Sequence, residues 1–427
     1  MKNKIHIPST LTVILDAITK QGGKPYIVGG LIRDALTGFV SSKPDIDVEV
    51  YGLAIEQLIT VLTTFGSLQN RNQSFGVFSL KELPGVDFTL PRKEIKAGKN
   101  HRDFMIAIDP YLSVKEATKR RDFTINALLY EYQTGFILDF YDGLDAMHNQ
   151  RIHMVSPESF EEDPLRVLRA ARFASQLSYQ VSDATKHICK QMVKEGGLEK
   201  LSSSHIYREY SKLLVTKNPV QGLSFLYDIG ALEPTYAWDA CQDMIEAASR
   251  RQTDDHLAFM FSCLGFCCIQ STPESIYALF GIVNKRIKRY ITTMWQAFGT
   301  VKRLTLVDTS AVSYMNLLRQ IEDILPALDL YNFIQCCRYL MNNDKSIRMM
   351  ETYMQTKFDS CGTKVEVPYI TGALLRDYGF PPSPMYTKIL DTAYKLQMQG
   401  QSKDQIMQEI RRKYKNHGER CTHYKGS

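Results

Sequence analysis

The sequence predicts an α+β protein: an N-terminal part that mixes strands with helices, followed by a remainder that is all helix. Three observations carry this. The apolar run Tyr26, Ile27, Val28 stops at the pair Gly29 and Gly30 and passes into a helical stretch over residues 31–36. Strand-like segments follow around residues 45–47 and 86–94. Beyond residue 176 helical spacing dominates, from residues 206–214 through segments rich in Leu, Tyr, Met and Cys.

The first strand and its glycine pair open a helix whose bare backbone N–H groups suit phosphate oxygens, because the N-terminal end of a helix is positive. Arg33, one turn into that helix, is placed to reach a triphosphate. On the next strand Asp45 and Asp47 share one face, since side chains alternate with period two. Adjacent carboxylates repel unless cations separate them, and two Mg²⁺ ions roughly 3.5–4 Å apart suit in-line phosphoryl or nucleotidyl transfer. Taken alone, a glycine pair reads as a turn and a D-x-D as a solvated strand end. Their combination points to a nucleotide.

Two further stretches carry chemistry. Residues 120–127 read R-R-D-F-T-I-N-A, and arginine forks onto phosphate while a neighbouring aspartate orients it or takes a sugar hydroxyl. Residues 162–173 read E-D-P-L-R-V-L-R-A-A-R-F, a helix started by Asp163 and Pro164, with Arg166, Arg169 and Arg172 recurring every three residues on one face. Like charges at that spacing repel, so a plain surface helix gains nothing from them.

The string GG-x-x-RD, a short gap and D-I-D resembles motif A of the polymerase β nucleotidyltransferase superfamily, in particular its class II tRNA nucleotidyltransferase and bacterial poly(A) polymerase branch. R-R-D-F-T-I-N-A and E-D-x-x-R resemble the next motifs of that branch, in order, through about the first 175 residues. The resemblance implies a polymerase-β-type head of mixed sheet and helices (residues 1–150), a neck with the nucleotide-selecting helix (151–215), a helical body (216–350) and a helical, tRNA-binding tail (351–427). It implies Asp45, Asp47 and Asp87 as catalytic carboxylates, with Asp45 and Asp47 holding two Mg²⁺ ions for which Mn²⁺ can substitute. Nucleotide contacts fall to Gly29, Gly30, Arg33, Arg120, Arg121, Asp122, Asn126, Asp163, Arg166, Arg169 and Arg172. Asp163 and Arg166 act as the template, while Arg169 and Arg172 hold phosphates or the helix itself. Lys96, Gly98, His101 and Arg102 lie in a stretch resembling the flexible loop that couples to the switch from C to A addition. Residues 207–214 resemble the neck helix, and 370–375 with 379–384 the C-terminal RNA-binding region.

Two departures stand out. The segment from Asp139 to Asp145 resembles the branch's D-x-x-G-G-x-x-D-L turn, with Asp142 in place of the first glycine, and reads as structural. Many relatives carry a His-Asp dyad of a phosphohydrolase in the helical half; this chain has no adjacent His-Asp pair, and Asp255 with His256 reads as a capped helix start.

Composition agrees with a large enzyme of several domains. At 427 residues and 44% hydrophobic content the chain can bury sizeable cores. The net charge of +6 is mild, but residues 401–427 carry seven Lys and Arg against three Asp and Glu, a basic tail suited to an RNA backbone. Nine cysteines without a C-x-x-C or regular spacing read as reduced core residues of a cytoplasmic protein. The N-terminus lacks an apolar secretory segment, and no run approaches about 18 apolar residues, so a membrane partner is not expected. The expected partners are tRNA, CTP and ATP, with no DNA. The resemblance implies a template-independent enzyme that builds or repairs the 3′-terminal CCA of tRNA. An A-adding or CC-adding specialist, a poly(A) polymerase, and a noncatalytic RNA-binding protein on the same scaffold stay open beside it, the last opposed by the intact Asp45 and Asp47.

Overall fold

The computed structural model describes residues 5, 7–38, 45–69, 76–96, 104–268, 272–306, 327–341, parts of 370–396, and 401–414. The mixed head is built on a seven-stranded sheet of order β3-β4-β5-β2-β1-β8-β9. Its strands are β1 (Lys24–Val28), β2 (Ile46–Tyr51), β3 (Leu68–Gln69), β4 (Val77–Leu80), β5 (Val86–Thr89), β8 (Leu129–Glu131) and β9 (Phe136–Leu138), with β6 (Arg92–Lys96) and β7 (Phe104–Ile108) forming a separate antiparallel hairpin. Only β2 and β5 run parallel among these seven strands; every other pair is antiparallel. The strand expected over residues 86–94 is therefore two strands. Pro91, which has no N–H to give to a ladder, stands at the break.

Alternation along the central strands decides where the chemistry goes. On β2, Ile46, Val48 and Val50 are buried in one core with Ile27 of β1 and Val86 and Phe88 of β5. That core is closed by α1 (Ser9–Lys20) through Leu11, Leu15 and Ile18, and by α3 (Ile55–Thr63) through Leu58, Val61 and Leu62. The opposite face carries Tyr26 and Val28 of β1 and Tyr51 of β2, packed with Leu112, Leu129 and Ala117 of α4 (Val114–Lys119). Asp47 and Glu49 belong to this second face, because they pair in register with Val28 and Tyr26. α2 (Gly30–Thr37) follows β1 immediately, one residue longer at each end than the sequence suggests.

The helical part begins beside the head. α5 (Gly143–His148), α6 (Pro157–Glu161) and α7 (Leu165–Leu177) lead to α8 (Asp183–Lys194), α9 (Ser203–Leu214) and α10 (Pro219–Asp228). α7 packs against α9 and α10, and this anchors the helix expected to read the base. Gly222 of α10 makes the approach possible: a Cβ there would stand 2.2 Å from the Ala171 carbonyl oxygen and 2.4 Å from Ser175 Oγ. Its own N–H is donated to Ser175 Oγ at 2.9 Å. Further on, α11 (Trp238–Ser249) packs on α12 (His256–Cys268), whose side chains are buried all round from Ala258 to Cys268, and α13 (Lys285–Leu306) covers it. Cys189, Cys241, Cys263, Cys267, Cys268, Cys336 and Cys337 are free thiols in buried positions.

By its internal contacts the chain divides into two compact units, residues Met1–Leu306 with Cys336–Asn342, and Val307–Gln335 with Asn343–Ser427. The second unit holds a core of its own around Ile370, Leu375, Phe380 and Ile389, with Ile406 and Ile410 of the helix Lys403–Tyr414. That helix ends in Arg411, Arg412 and Lys413, the described part of the basic tail.

Gly222→Ala is expected to force α10 off α7 and to destabilise the first unit by about 1–3 kcal/mol, the usual cost of overpacking a close contact. Chemical denaturation followed by helical circular dichroism checks this; an unchanged midpoint would mean that the helices can slide apart freely.

Candidate active site

The glycine turn between β1 and α2 is the floor of the site. Gly29 has φ 78° and ψ −135°, a left-handed conformation open to glycine and strained for other residues. A Cβ there would lie 3.5 Å from Asp47 Oδ2 and 3.7 Å from Arg121 Nη1, so a carboxylate and a guanidinium face the same spot above the turn. Asp87 sits level with Asp47 on the neighbouring parallel strand, and Ser79 of β4 donates its hydroxyl to Asp87 Oδ1 at 2.5 Å. Asp45 precedes β2 by one residue. Asp45, Asp47 and Asp87 all reach solvent.

Asp47 is nevertheless pushed up from the ordinary carboxylate range. Partial removal from water by the surrounding chain is the main cause, Asp87, Asp45 and Glu49 add to it, and Arg121 opposes it. Asp47 and Asp87, side by side in register, are hard oxygen donors of the kind a divalent cation takes. Among the described residues no three His, Cys, Asp or Glu close into a finished metal cage.

Glu49, absent from the motif reading, is the buried partner of the arginine pair. It is fully buried and accepts from Arg120 Nη2 at 3.0 Å, Arg121 Nη2 at 3.4 Å and the Tyr51 hydroxyl at 3.0 Å. Burial alone would raise its pKa; Arg121 and Arg120, with the Tyr51 hydroxyl, overcome this and hold it below the usual range. A third acidic residue two positions beyond Asp47, between valines that belong to the core face, was the available signal.

Asp122 anchors a second buried network. Its Oδ1 accepts from Asn126 Nδ2 at 3.0 Å and the Phe123 N–H at 2.8 Å, and its Oδ2 from Arg169 Nε at 2.7 Å and Nη2 at 2.6 Å. Asn126 Oδ1 in turn accepts from Arg33 Nη1 at 2.7 Å, and Arg33 also grips Asp34 at 2.6 Å. Arg33 is only 5% exposed, so its guanidinium ties α2 to the R-R-D-F-T-I-N-A segment beneath the turn. Arg172 continues the chain to α9 by donating to Glu209 Oε2 at 2.6 Å. The guanidinium carbons of Arg33, Arg169 and Arg172 lie 4.9, 5.4 and 4.0 Å from the centre of the Phe173 ring. A single aromatic ring thus helps to hold three cations together. Of the roles open to Arg169 and Arg172, their contacts in the structure are with carboxylates of the protein.

The helix with E-D-x-x-R is brought to the same place. Arg166 donates to the carbonyl oxygens of Ser159 at 2.5 Å and Arg120 at 2.7 Å, with Phe160 5.9 Å from its guanidinium. Asp163 is exposed and caps α7 by accepting the Leu165 N–H at 3.0 Å. Phe123 packs edge-on to Phe160 and Phe173 at 5.6 and 5.7 Å, locking the segment after Asp122 against α6 and α7. Gly29, Gly30, Asp47, Asp87, Arg120, Arg121, Asp122, Asn126, Arg166 and Arg169 are therefore linked by contact or register. Lys96 ends β6, while Gly98, His101 and Arg102 lie outside the described residues.

The unusual turn is explained by its backbone. Asp142 has φ 58°, the left-handed region where a glycine is easiest and an aspartate tolerable. Asp139 ties the turn by accepting the N–H groups of Gly143 at 2.8 Å and Leu144 at 2.9 Å. A Cβ on Gly143 would stand 2.4 Å from the Thr124 carbonyl oxygen, so the turn buttresses the R-R-D-F-T-I-N-A segment. In the helical half, Asp255 accepts the Ala258 N–H at 3.2 Å and pairs with Arg286 at 2.7 Å, a cap and an ion pair.

Residues 25–153 match the family model described as the poly A polymerase head domain. The first part of the chain is thus similar to the poly A polymerase head domain. Over nearly the whole chain the fold is that of solved CCA-adding enzymes. The Thermotoga maritima CCA-adding enzyme complexed with tRNA matches with a TM-score of 0.60 at 20% identity, over 96% of this chain and 97% of that one. The Bacillus stearothermophilus CCA-adding enzyme in complex with CTP matches with a TM-score of 0.58 at 18% identity, over 96% of this chain and 100% of that one. A tRNA nucleotidyltransferase with a primer tRNA and an incoming ATP analogue matches at 0.58 and 21%, over 81% and 99%. The expected α+β architecture, mixed head and helical remainder, is the one observed.

Asp122 is buried, and its pKa is lowered: burial pushes it up, but Arg169 and the hydrogen bonds from Asn126, Arg169 and the Phe123 N–H prevail. A carboxylate depressed in the folded state contributes stability above its unfolded pKa of about 3.9 and loses it as pH falls toward the folded value. Asp122→Ala is expected to cost about 3–5 kcal/mol at neutral pH, the usual result of orphaning a buried ion. In thermal melts the gap between wild type and variant should narrow steadily below about pH 4; a constant gap would assign the loss to packing.

Proposed function

We propose that the chain is a template-independent tRNA nucleotidyltransferase that adds or repairs the 3′-terminal CCA from CTP and ATP. The observation that carries this is the convergence of Asp47, Arg121 and the Gly29 turn at one spot, with Asp87 in register beside Asp47. The turn and the positive end of α2 receive phosphate oxygens, and Arg120 and Arg121 draw the triphosphate to the carboxylates. Divalent cations, Mg²⁺ or Mn²⁺, held by Asp45 and Asp47 would neutralise the triphosphate and activate the attacking 3′-hydroxyl. Asp87, fixed by Ser79, stands where it can complete the oxygen donor set or take the hydroxyl proton.

Base choice falls to Asp163 and Arg166 at the start of α7. Arg166 is steadied by two backbone carbonyls, so the edge it offers a base is set by the fold. The four-segment division into head, neck, body and tail at residues 150, 215 and 350 belongs to the same reading. Within the second unit the basic end of the helix Lys403–Tyr414 suits an RNA backbone, which any tRNA presents regardless of sequence. No helix among the described residues is long and apolar enough to cross a membrane. Solved structures of the same fold hold tRNA, CTP and an ATP analogue, which supports a tRNA nucleotidyltransferase reading.

Purified protein with tRNA transcripts ending at the discriminator base, at C or at CC, each offered CTP, ATP or both, tests it directly. Stepwise CCA completion is expected; failure to add C to any transcript would make it an A-adding enzyme or a poly(A) polymerase. Asp47→Ala should reduce incorporation by at least about 10³-fold with tRNA affinity retained, since charge stabilisation in the transition state is lost. Asp163→Ala or Arg166→Ala should relax base choice by about 1–3 kcal/mol, read as incorporation of UTP or GTP.

A further inference from the structure

Glu49 has no part in the transfer chemistry described above, yet it is the fully buried acid on the strand that carries Asp47. We propose that Glu49 is a positioning residue for the triphosphate: it fixes Arg120 and Arg121 before the nucleotide arrives and keeps Arg121 from collapsing onto Asp47. This rests on the nucleotidyltransferase reading and deepens it.

Arg121 stands between two carboxylates. Its Nη2 is 3.4 Å from Glu49 Oε2, while its Nη1 points to the spot above Gly29 that Asp47 Oδ2 also faces. A guanidinium with two acids in reach pairs with the one that holds it best, and a fork onto Asp47 would occupy the oxygens a cation needs. Glu49 has the advantage because it is buried, where charges attract more strongly than in water. Arg120 on Oε1 and the Tyr51 hydroxyl on Oε2 fix its orientation. Tyr51 is itself held edge-on by Tyr26, with ring centres 5.3 Å apart. The arrangement leaves Arg120 Nε and Arg121 Nε buried and without a hydrogen bond, so the chain does not by itself satisfy these two guanidiniums. Arginines ordered during folding need not be ordered again when the nucleotide binds.

The role is read from binding, without turnover. CTP affinity is measured calorimetrically in chelator, and Mn²⁺ affinity by electron paramagnetic resonance without nucleotide. Glu49→Gln should weaken CTP binding about tenfold, the loss of a charge-assisted contact, and should weaken Mn²⁺ binding as Arg121 turns to Asp47. Adding Asp47→Asn to Glu49→Gln should restore CTP affinity by more than Asp47→Asn gains when Glu49 is present. Equal gains in the two backgrounds, or wild-type CTP and Mn²⁺ binding by Glu49→Gln, would overturn the role. If Glu49→Gln fails to fold by circular dichroism, Tyr51→Phe, which loosens Oε2 alone, should weaken CTP binding about two- to threefold, a neutral hydrogen bond's worth; no change there would overturn it as well. Wild-type protein that binds no CTP at all would instead sink the nucleotidyltransferase reading itself.

Discussion

The period-two alternation of β2 governs the molecule. Ile46, Val48 and Val50 must enter the core beneath the sheet, and once they do, Asp47, Glu49 and Tyr51 have no choice of face. Because β2 lies between β1 and β5, that face is bordered on one side by the glycine turn and on the other by Asp87. A shift of one residue in register would bury the carboxylates and expose the valines. The hydrophobic core therefore specifies the chemistry, since the same packing that excludes water below the sheet fixes the acids above it.

Charge is handled by depth. Asp45, Asp47 and Asp87 stay at the solvent edge, where uncompensated repulsion is tolerable and a cation has access. Glu49, Asp122 and Glu209 lie deep, each bound to at least one arginine. Buried ion pairs contribute little net stability, because desolvating both charges cancels most of their attraction. Their contribution is geometric. Asp34, Arg33, Asn126, Asp122 and Arg169 run as one hydrogen-bonded line from the glycine turn to α7, and Arg172 with Glu209 extends it to α9 around the shared Phe173 ring.

Much of this was legible in the sequence because its signals are local. A strand stopped by two glycines, a D-x-D pair, and arginines three apart on a helix each follow from the period of one element. Asp87 was singled out by the family resemblance, on a segment of strand composition. Glu49 was not, because its burial depends on two arginines some 70 positions away, and its place between two core-face valines was the one local hint. Glu209 escaped for the same reason, being paired with Arg172 37 positions earlier. Asp142 was visible as a departure, but only its backbone angle explains why glycine would be easiest there. The loop positions Gly98, His101 and Arg102 remain sequence readings.

Arg166 reaches across to the backbone, taking the carbonyl oxygens of Ser159 and Arg120 as its acceptors. Every residue carries such an oxygen, so no side-chain substitution at those two positions can delete either acceptor. The N-terminal end of α7 is thereby insulated from sequence drift in its own supports, provided the chain path between α4 and α6 is kept. A site anchored in this way can tolerate extensive divergence around it, and homologues too distant to align reliably can still be compared by asking where this guanidinium docks.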